Sequence, residues 1–375
     1  MNQFASPPEW ASQVDARDAA PDPAPSLPML EVSALCRRFA GVAAVEDVGF
    51  DVAQGEVTCL LGPSGCGKST TLRMIAGIER PDSGAVRIGG RAMSDAGGFL
   101  PPERRPVGLV FQDFALFPHL DVAANVGFGL QGPARQNRDR IGELLERVGL
   151  SGHAAKYPHE LSGGEQQRVA LIRALAPRPC VMLMDEPFSS LDHRLRDGVR
   201  DAALDLLRET ETTVLMVTHD PEEAMLMGHR IAVMRKGRLI QEGRPDELYN
   251  RPADRGVAAF FSDLNIVSGR VSGGRVQTSL GTFPAPGLAE GSRAEVAIRP
   301  QHLVPTDPDT DTGGTPARVE RARYLGRESL IEMRLEPGGA AMKSRVPGLI
   351  LPAPGSLIHV AAQPGSAMVF ACDGE

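Results

Sequence analysis

The sequence predicts an α/β chain: a mainly parallel, helix-covered sheet comes first, and a second, β-rich and barrel-like domain follows. Three observations carry this. From Met29 onward, short apolar runs alternate with helical stretches. A glycine-rich turn, "GPSGCGKST" at 62–70, stands between a strand and a helix. After about Phe261 the helix signals stop, and short strands separated by Gly and Pro take over. Strands alternating with helices imply a parallel sheet covered on both faces, whereas a run of short strands implies a barrel or sandwich.

Residues 1–28 are rich in Ala, Pro and Asp and read as a disordered leader. The first domain is expected over 29–261. "LEVSALCRRF", "VGFDV" and "EVTCLLG" read as strands, "STTLRMIAGI" (69–78) as a helix and "AVRIGG" as a strand. "PPERRP" (101–106) breaks the pattern ahead of a buried strand, "VGLVF" (107–111). A helical subdomain is expected over about 113–176, because "RIGELLERVGL" places apolar residues at i, i+3 and i+4. Two apolar strands, "VMLM" (181–184) and "TVLMV" (213–217), flank a helix at about 192–210, and "RIAVMRKGRLIQEG" (230–243) reads as a hairpin. The second domain is expected over 262–375.

Composition narrows the function classes. The net charge is −7 and there are one Trp and three Tyr, so stacking platforms are scarce and a dedicated nucleic-acid binder is disfavoured, though a local basic patch is not excluded. Five cysteines without a CxxC or Cys/His cluster argue for a reducing compartment and against a zinc or disulfide frame. No apolar run approaches the ~20 residues that a membrane-crossing helix needs.

The turn at 62–70 fits G-x-x-x-x-G-K-[ST] in the context that gives the pattern meaning, strand before and helix after. Gly62, Pro63, Ser64, Gly65, Cys66, Gly67, Lys68, Ser69 and Thr70 would wrap the phosphates, the glycines letting successive backbone N–H groups curl around the oxygens. Lys68 would pair with the β- and γ-phosphates of ATP, and Ser69 would ligate Mg²⁺. Cys66 reads as a small spacer. Its place at a helix N-terminus would also lower its pKa, which predicts that alkylation blocks nucleotide binding.

Ligands of open parallel sheets bind at the carboxyl ends of strands. Asp185 and Glu186 end one strand and face opposite ways, so Asp185 suits Mg²⁺ and Glu186 suits polarising the attacking water. His219 ends another strand and would contact the γ-phosphate or orient that water. Gln112 ends a third and would reach Mg²⁺ or the water. "LSGGEQQR" (161–168) adds a second anion site: Ser162 and Glu165 form a capping box, and Gly163 and Gly164 expose N–H groups at the positive end of a helix.

Together these motifs resemble the nucleotide-binding subunit of an ATP-binding-cassette (ABC) transporter. "LSGGEQQR" resembles its signature motif, "GPSGCGKST" its P-loop, "VMLMDE" its second acidic motif and "SSLD" (189–192) its D-loop, while Gln112 and His219 match its Q- and H-loop positions. The likeness spans about residues 29–250. It implies that Phe39, where the family more often has Tyr, stacks on adenine. It also implies a homodimer in which Ser162, Gly163, Gly164, Gln167 and Asp192 reach the partner's ATP, with Ser189 near the interface. The region 262–375 resembles the TOBE-type extension of importer ATPases, through "VAIRPQHL" and "YLGRES". The resemblance therefore implies a peripheral subunit at the cytoplasmic face of the cell membrane. Its partners would be two membrane-spanning permease subunits and an extracytoplasmic solute-binding protein, with "FALFPHL" (114–120) suited to receive a permease helix. "VGLVFQDFALFPHLDVAANVGFGL" looks most like ferric-iron and polyamine subunits, with the lean to ferric iron. The competing class is a soluble ABC-type ATPase acting on nucleic acid or the ribosome.

Overall fold

In the chain's computed structural model, residues 28–191, 193–306 and 314–372 are described, with the backbone alone at 193–195. The leader expected over 1–28 lies outside them except for Pro28. In chain order the first part comprises β1 (Leu30–Phe39), β2 (Val42–Val52), β3 (Val57–Leu61), α1 (Lys68–Ala76), β4 (Ser83–Ile88), β5 (Arg91–Asp95), β6 (Gly98–Phe99) and β7 (Val107–Val110). There follow α2 (Val122–Gly127), α3 (Ala134–Arg147), α4 (Gly163–Leu175), β8 (Val181–Asp185), α5 (His193–Glu209), β9 (Thr213–Thr218), α6 (Pro221–Met227), β10 (Arg230–Arg235), β11 (Arg238–Gly243), α7 (Pro245–Asn250) and α8 (Arg255–Phe261).

Two sheets organise this part. One is six-stranded, in the order β11-β10-β3-β9-β8-β7. It is parallel throughout except at the β10–β11 hairpin. The other is five-stranded and antiparallel, β2-β1-β4-β5-β6. The mainly parallel sheet and the helical stretch follow the sequence expectation, and the resemblance to the ABC family further implies the mixed sheet core and the antiparallel β part seen here. β5, β6, α6, α7 and α8 are not legible in the sequence pattern. The three helices span six or seven residues each, too few turns to show a period.

Strand alternation in the parallel sheet decides what reaches the site. Met182 and Met184 of β8 face one apolar cluster, with α4 and α5, while Val181 and Leu183 face the other, with α1 and the antiparallel sheet. Asp185 continues the second row and is thereby aimed at α1. In β9, Val214 and Met216 join the first cluster and Leu215 and Val217 the second, so Thr218 ends the strand on the first.

Arg105, within the predicted breaker "PPERRP", is 5 % exposed. Its guanidinium donates to the carbonyls of Leu100 (2.8 Å), Met74 (2.9 Å), Ile75 (2.7 Å) and Met93 (3.3 Å). It caps the carboxyl end of α1 and ties that end to the antiparallel sheet.

Among the described residues the second part holds strands and one turn of 3₁₀ helix at Pro300–His302. Its strands are β12 (Asn265–Ser272), β13 (Arg275–Thr278), β14 (Gly281–Pro284), β15 (Arg293–Ile298), β16 (Leu303–Thr306), β17 (Thr315–Tyr324), β18 (Glu328–Leu335), β19 (Ala341–Pro347), β20 (Leu357–Ala362) and β21 (Met368–Ala371). The barrel-like expectation takes the form of two five-stranded antiparallel sheets, β14-β13-β12-β15-β21 and β16-β20-β17-β18-β19, around one shared apolar core. Arg299 joins this part to the first. It is 2 % exposed, lies 3.7 Å over the Tyr249 ring of α7 and donates to the Tyr249 carbonyl at 2.6 Å.

Candidate active site

The ends of β3, β8 and β9 and the start of α1 come together in the site. The turn 62–67 leaves β3 and enters α1 at Gly67, whose φ of +105° only glycine holds without strain. A Cβ there would also lie 2.4 Å from the Ala44 carbonyl oxygen of β2. Lys68 is buried, and its Nζ donates to the carbonyls of Gly62 (2.7 Å) and Pro63 (3.2 Å), closing the loop over the ammonium. A buried ammonium at the N-terminus of a helix that a glycine-rich turn enters is suited to an anion.

Cys66 corrects one expectation. It is 4 % exposed, and burial pushes its thiol up, against the smaller opposing pull of Lys68. Desolvation outweighs the helix terminus, so this is not the reactive thiol predicted from its position.

Ser69 and Asp185 meet as strand alternation requires: the Ser69 hydroxyl donates to Asp185 Oδ1 at 2.8 Å. Asp185 is 8 % exposed, and burial raises its carboxyl, opposed by the Ser69 bond and by Arg73. A hydroxyl and a carboxylate are a hard-oxygen pair of the kind Mg²⁺ takes alongside phosphate oxygens and water. Among the described residues no cluster of three or more His, Cys, Asp or Glu is placed to hold a metal ion, so phosphate would have to complete that shell.

Glu186 turns the chain. Its φ is +46° and its N–H donates to the Val217 carbonyl at 2.9 Å, which swings its carboxylate off the strand row. Its Oε2 lies 3.0 Å from His219 Nδ1. The sequence named both residues but not their pairing, which depends on that left-handed backbone. Gln112 is exposed, and its side chain makes no hydrogen bond among the described residues; its carbonyl accepts from Ser190 Oγ at 3.5 Å. The structure does not bring Gln112 onto Ser69 or Asp185. Arg173 of α4 shapes the segment after it by donating to the carbonyls of Phe114 and Ala115, both with positive φ. Phe39 ends β1 at 44 % exposure, paired with Val42, two residues from the Ala44 that touches Gly67.

The start of α4 carries the predicted capping box: Ser162 Oγ accepts from the Glu165 N–H, and Glu165 Oε2 accepts from the Ser162 N–H at 2.7 Å. Ser162 and Gly163 are exposed. Gly164 is buried, and a Cβ on it would lie 3.0 Å from Val199 Cγ2, so its smallness serves the packing of α4 on α5. Gln167 is 3 % exposed and lies on that same inward face, beside Leu171, Val199 and Ala203, so it is not offered at the surface as the resemblance implied. It follows buried Gly164 by three residues, which sets the two on one helix face. Asp192 lies outside the described residues. No hydrogen bond or ion pair among the described residues joins 162–167 to 62–70.

The comparisons agree with this geometry. The ABC transporter family pattern matches residues 45–189, and the TOBE domain pattern matches 296–370. The Fe(3+) ions import ATP-binding protein of Pseudomonas fluorescens is 45% identical over 312 residues, 83% of this chain and 88% of that protein. The chain belongs to the ABC transporter family. It is one of that family's ATP-binding ATPases, with a strand-rich TOBE extension. The sulfate/thiosulfate import ATP-binding protein of Chromobacterium violaceum is 43% identical over 328 residues, 86% of each chain. Among solved structures, cbiO1 of Clostridium perfringens, part of an ABC transporter complex, aligns with a TM-score of 0.55 at 30% identity, over 60% of this chain and 91% of that one. A dimeric ATP-binding cassette in a post-hydrolysis state with ADP and Pi aligns with a TM-score of 0.51 at 31% identity, over 58% and 99%. Among the described residues no helix is long and apolar enough to cross a membrane.

Proposed function

We propose that this ATPase powers an importer of ferric iron, docked at the cytoplasmic face of the membrane on two permease subunits served by an extracytoplasmic binding protein. The cargo reading rests on one observation: relatives named for Fe(3+) import, such as those of Pseudomonas fluorescens and Mesorhizobium japonicum, align across both the ATPase part and the strand-rich part. The Chromobacterium relative favours a second reading, sulfate or thiosulfate.

Each site residue is assigned a role. Residues 62–70 wrap the phosphates of ATP, with Lys68 on the β- and γ-phosphates and Phe39 stacked on adenine. Ser69 and Asp185 would hold Mg²⁺, with Gln112 approaching once nucleotide is bound; the ion supplies charge neutralisation at the phosphates. Glu186 accepts the proton of the attacking water, and His219, held 3.0 Å from it, contacts the γ-phosphate. Ser162 and Gly163 cover the ATP of a second copy, and Gly164 seats the helix that presents them. The exposure of these two residues, and their lack of any bond to their own P-loop, support this pairing. Residues 29–261 act as the ATPase unit, with 113–176 as its helical subdomain, and 262–375 as an appended unit. Phe117 and Phe128, with ring centroids 4.3 Å apart and Phe128 63 % exposed, are proposed to receive the permease helix.

Two experiments test this reading. Glu186→Gln should keep ATP binding, abolish turnover and trap a dimer in size-exclusion chromatography; undiminished hydrolysis would remove Glu186 from its role. Isolating the permease and binding-protein partners, then titrating the binding protein with Fe³⁺, sulfate and thiosulfate, decides the cargo.

A further inference from the structure

Beneath His219 lies a buried acid that the proposed chemistry does not use. Glu223 sits in α6 at 3 % exposure, and Thr218, the last residue of β9, is 1 % exposed. Strand alternation turns Thr218 toward the cluster that contains Ala224 and Met227 of α6, and its hydroxyl donates to Glu223 Oε2 at 2.6 Å. The same hydroxyl accepts from the Asp220 N–H at 3.0 Å. Asp220 in turn caps α6, its Oδ1 accepting from the Glu222 N–H at 2.8 Å.

Both residues flanking His219 are therefore fixed to α6. His219 itself is not: its side chain is 52 % exposed, and its one described contact is Glu186 Oε2. A half-exposed imidazole has little packing to hold it, so the backbone on either side sets its direction.

We propose that Glu223 is a positioning residue for ATP hydrolysis, acting through the Thr218 hydroxyl to aim His219 at the γ-phosphate and at Glu186. This rests on the role assigned to His219. The energetic logic is that a buried carboxylate, which burial alone makes costly, is retained where its acceptor is needed. The Thr218 bond opposes the upward push that burial gives its pKa.

Aim and charge are separable by substitution. Thr218→Val removes the donor and leaves the charge; Glu223→Gln removes the charge and leaves an acceptor; Glu223→Ala removes both. With the full chain, kcat and KM for ATP are measured beside the ATP dissociation constant and the melting temperature. Thr218→Val and Glu223→Ala should each lower kcat by about 10- to 100-fold, the effect typical of outer partners that orient a reacting group, with KM within about twofold. Glu223→Gln should stay within roughly threefold of wild type, since it rescues the acceptor. A wild-type kcat in Thr218→Val, or a Glu223→Gln as slow as Glu223→Ala, overturns the proposal. Should Glu223→Ala not fold, Thr218→Val decides alone. His219→Ala is measured alongside. If it hydrolyses ATP normally, the role of His219 falls and this inference with it; if it is slow while Thr218→Val is fast, only this inference falls.

Discussion

Arg105→Met tests how the phosphate-binding helix is anchored. Burial pulls the Arg105 pKa well below the ordinary guanidinium value, to about 10, so the group is still charged at neutral pH. Keeping it charged costs roughly 3 kcal/mol. Against this stand the three bonds shorter than 3.0 Å, to Leu100, Met74 and Ile75. From a charged donor each contributes about 1.5–3 kcal/mol, or roughly 6 kcal/mol together. Methionine fills the space but offers no donor. The net loss should be about 3 kcal/mol, concentrated at the carboxyl end of α1. Because the chain has two parts, a single unfolding midpoint would blur it. Amide hydrogen exchange of Gly77 and Ile78, whose N–H groups close the last turn on Met74 and Arg73, reads it locally. Arg105→Lys should fall between, because one ammonium cannot span the same carbonyls. A change below about 0.5 kcal/mol in Arg105→Met would refute the anchoring argument.

Three further outcomes are expected. Ser162→Arg should leave nucleotide affinity of the isolated chain unchanged while abolishing hydrolysis; a loss of affinity in the monomer would contradict the trans arrangement. In the folded chain, a thiol reagent should label exposed Cys180 and spare Cys66, as peptide mapping would show, and nucleotide binding should survive the treatment. Asp185 has a folded-state pKa above its unfolded one, so the nucleotide-free chain should lose stability as pH rises from the ordinary aspartate value through the raised one. Ser69→Ala removes the bond that holds this pKa down and should steepen the loss; an unchanged slope in pH-dependent denaturation would count against it.

Legibility of the sequence followed the range of each interaction. The P-loop, the capping box at Ser162–Glu165 and the acids after "VMLM" are local patterns, and the structure puts them at the turn, helix start and strand end that the residues imply. Period-two alternation even gave Asp185 a different direction from Glu186. The Glu186–His219 pair was not legible, because it needs a positive φ at a non-glycine residue and the register of β8 on β9. Gln167 differs from exposed Ser162 and Gly163 of the same motif: only the packing of α4 on α5 shows that its side of the helix faces inward. Arg105 was hidden in a segment that looked like a plain breaker, since nothing local says that a charge there will be buried among carbonyls. Glu223 was overlooked for a related reason: α6 spans seven residues, and its inward face has no period to announce it.

The joint at Tyr249 has a mechanical consequence. Between the end of α8 at Phe261 and the start of β12 at Asn265 the chain leaves only residues 262–264. Arg299 clasps Tyr249 from the far side of that gap, and Arg255 grips Glu295 at 2.9 Å. A span that short, bolted at two more points, transmits torque instead of absorbing it. Under the ATP-driven pairing proposed above, the strand-rich part should swing as a rigid lever, its outer end travelling farther than the nucleotide site that drives it.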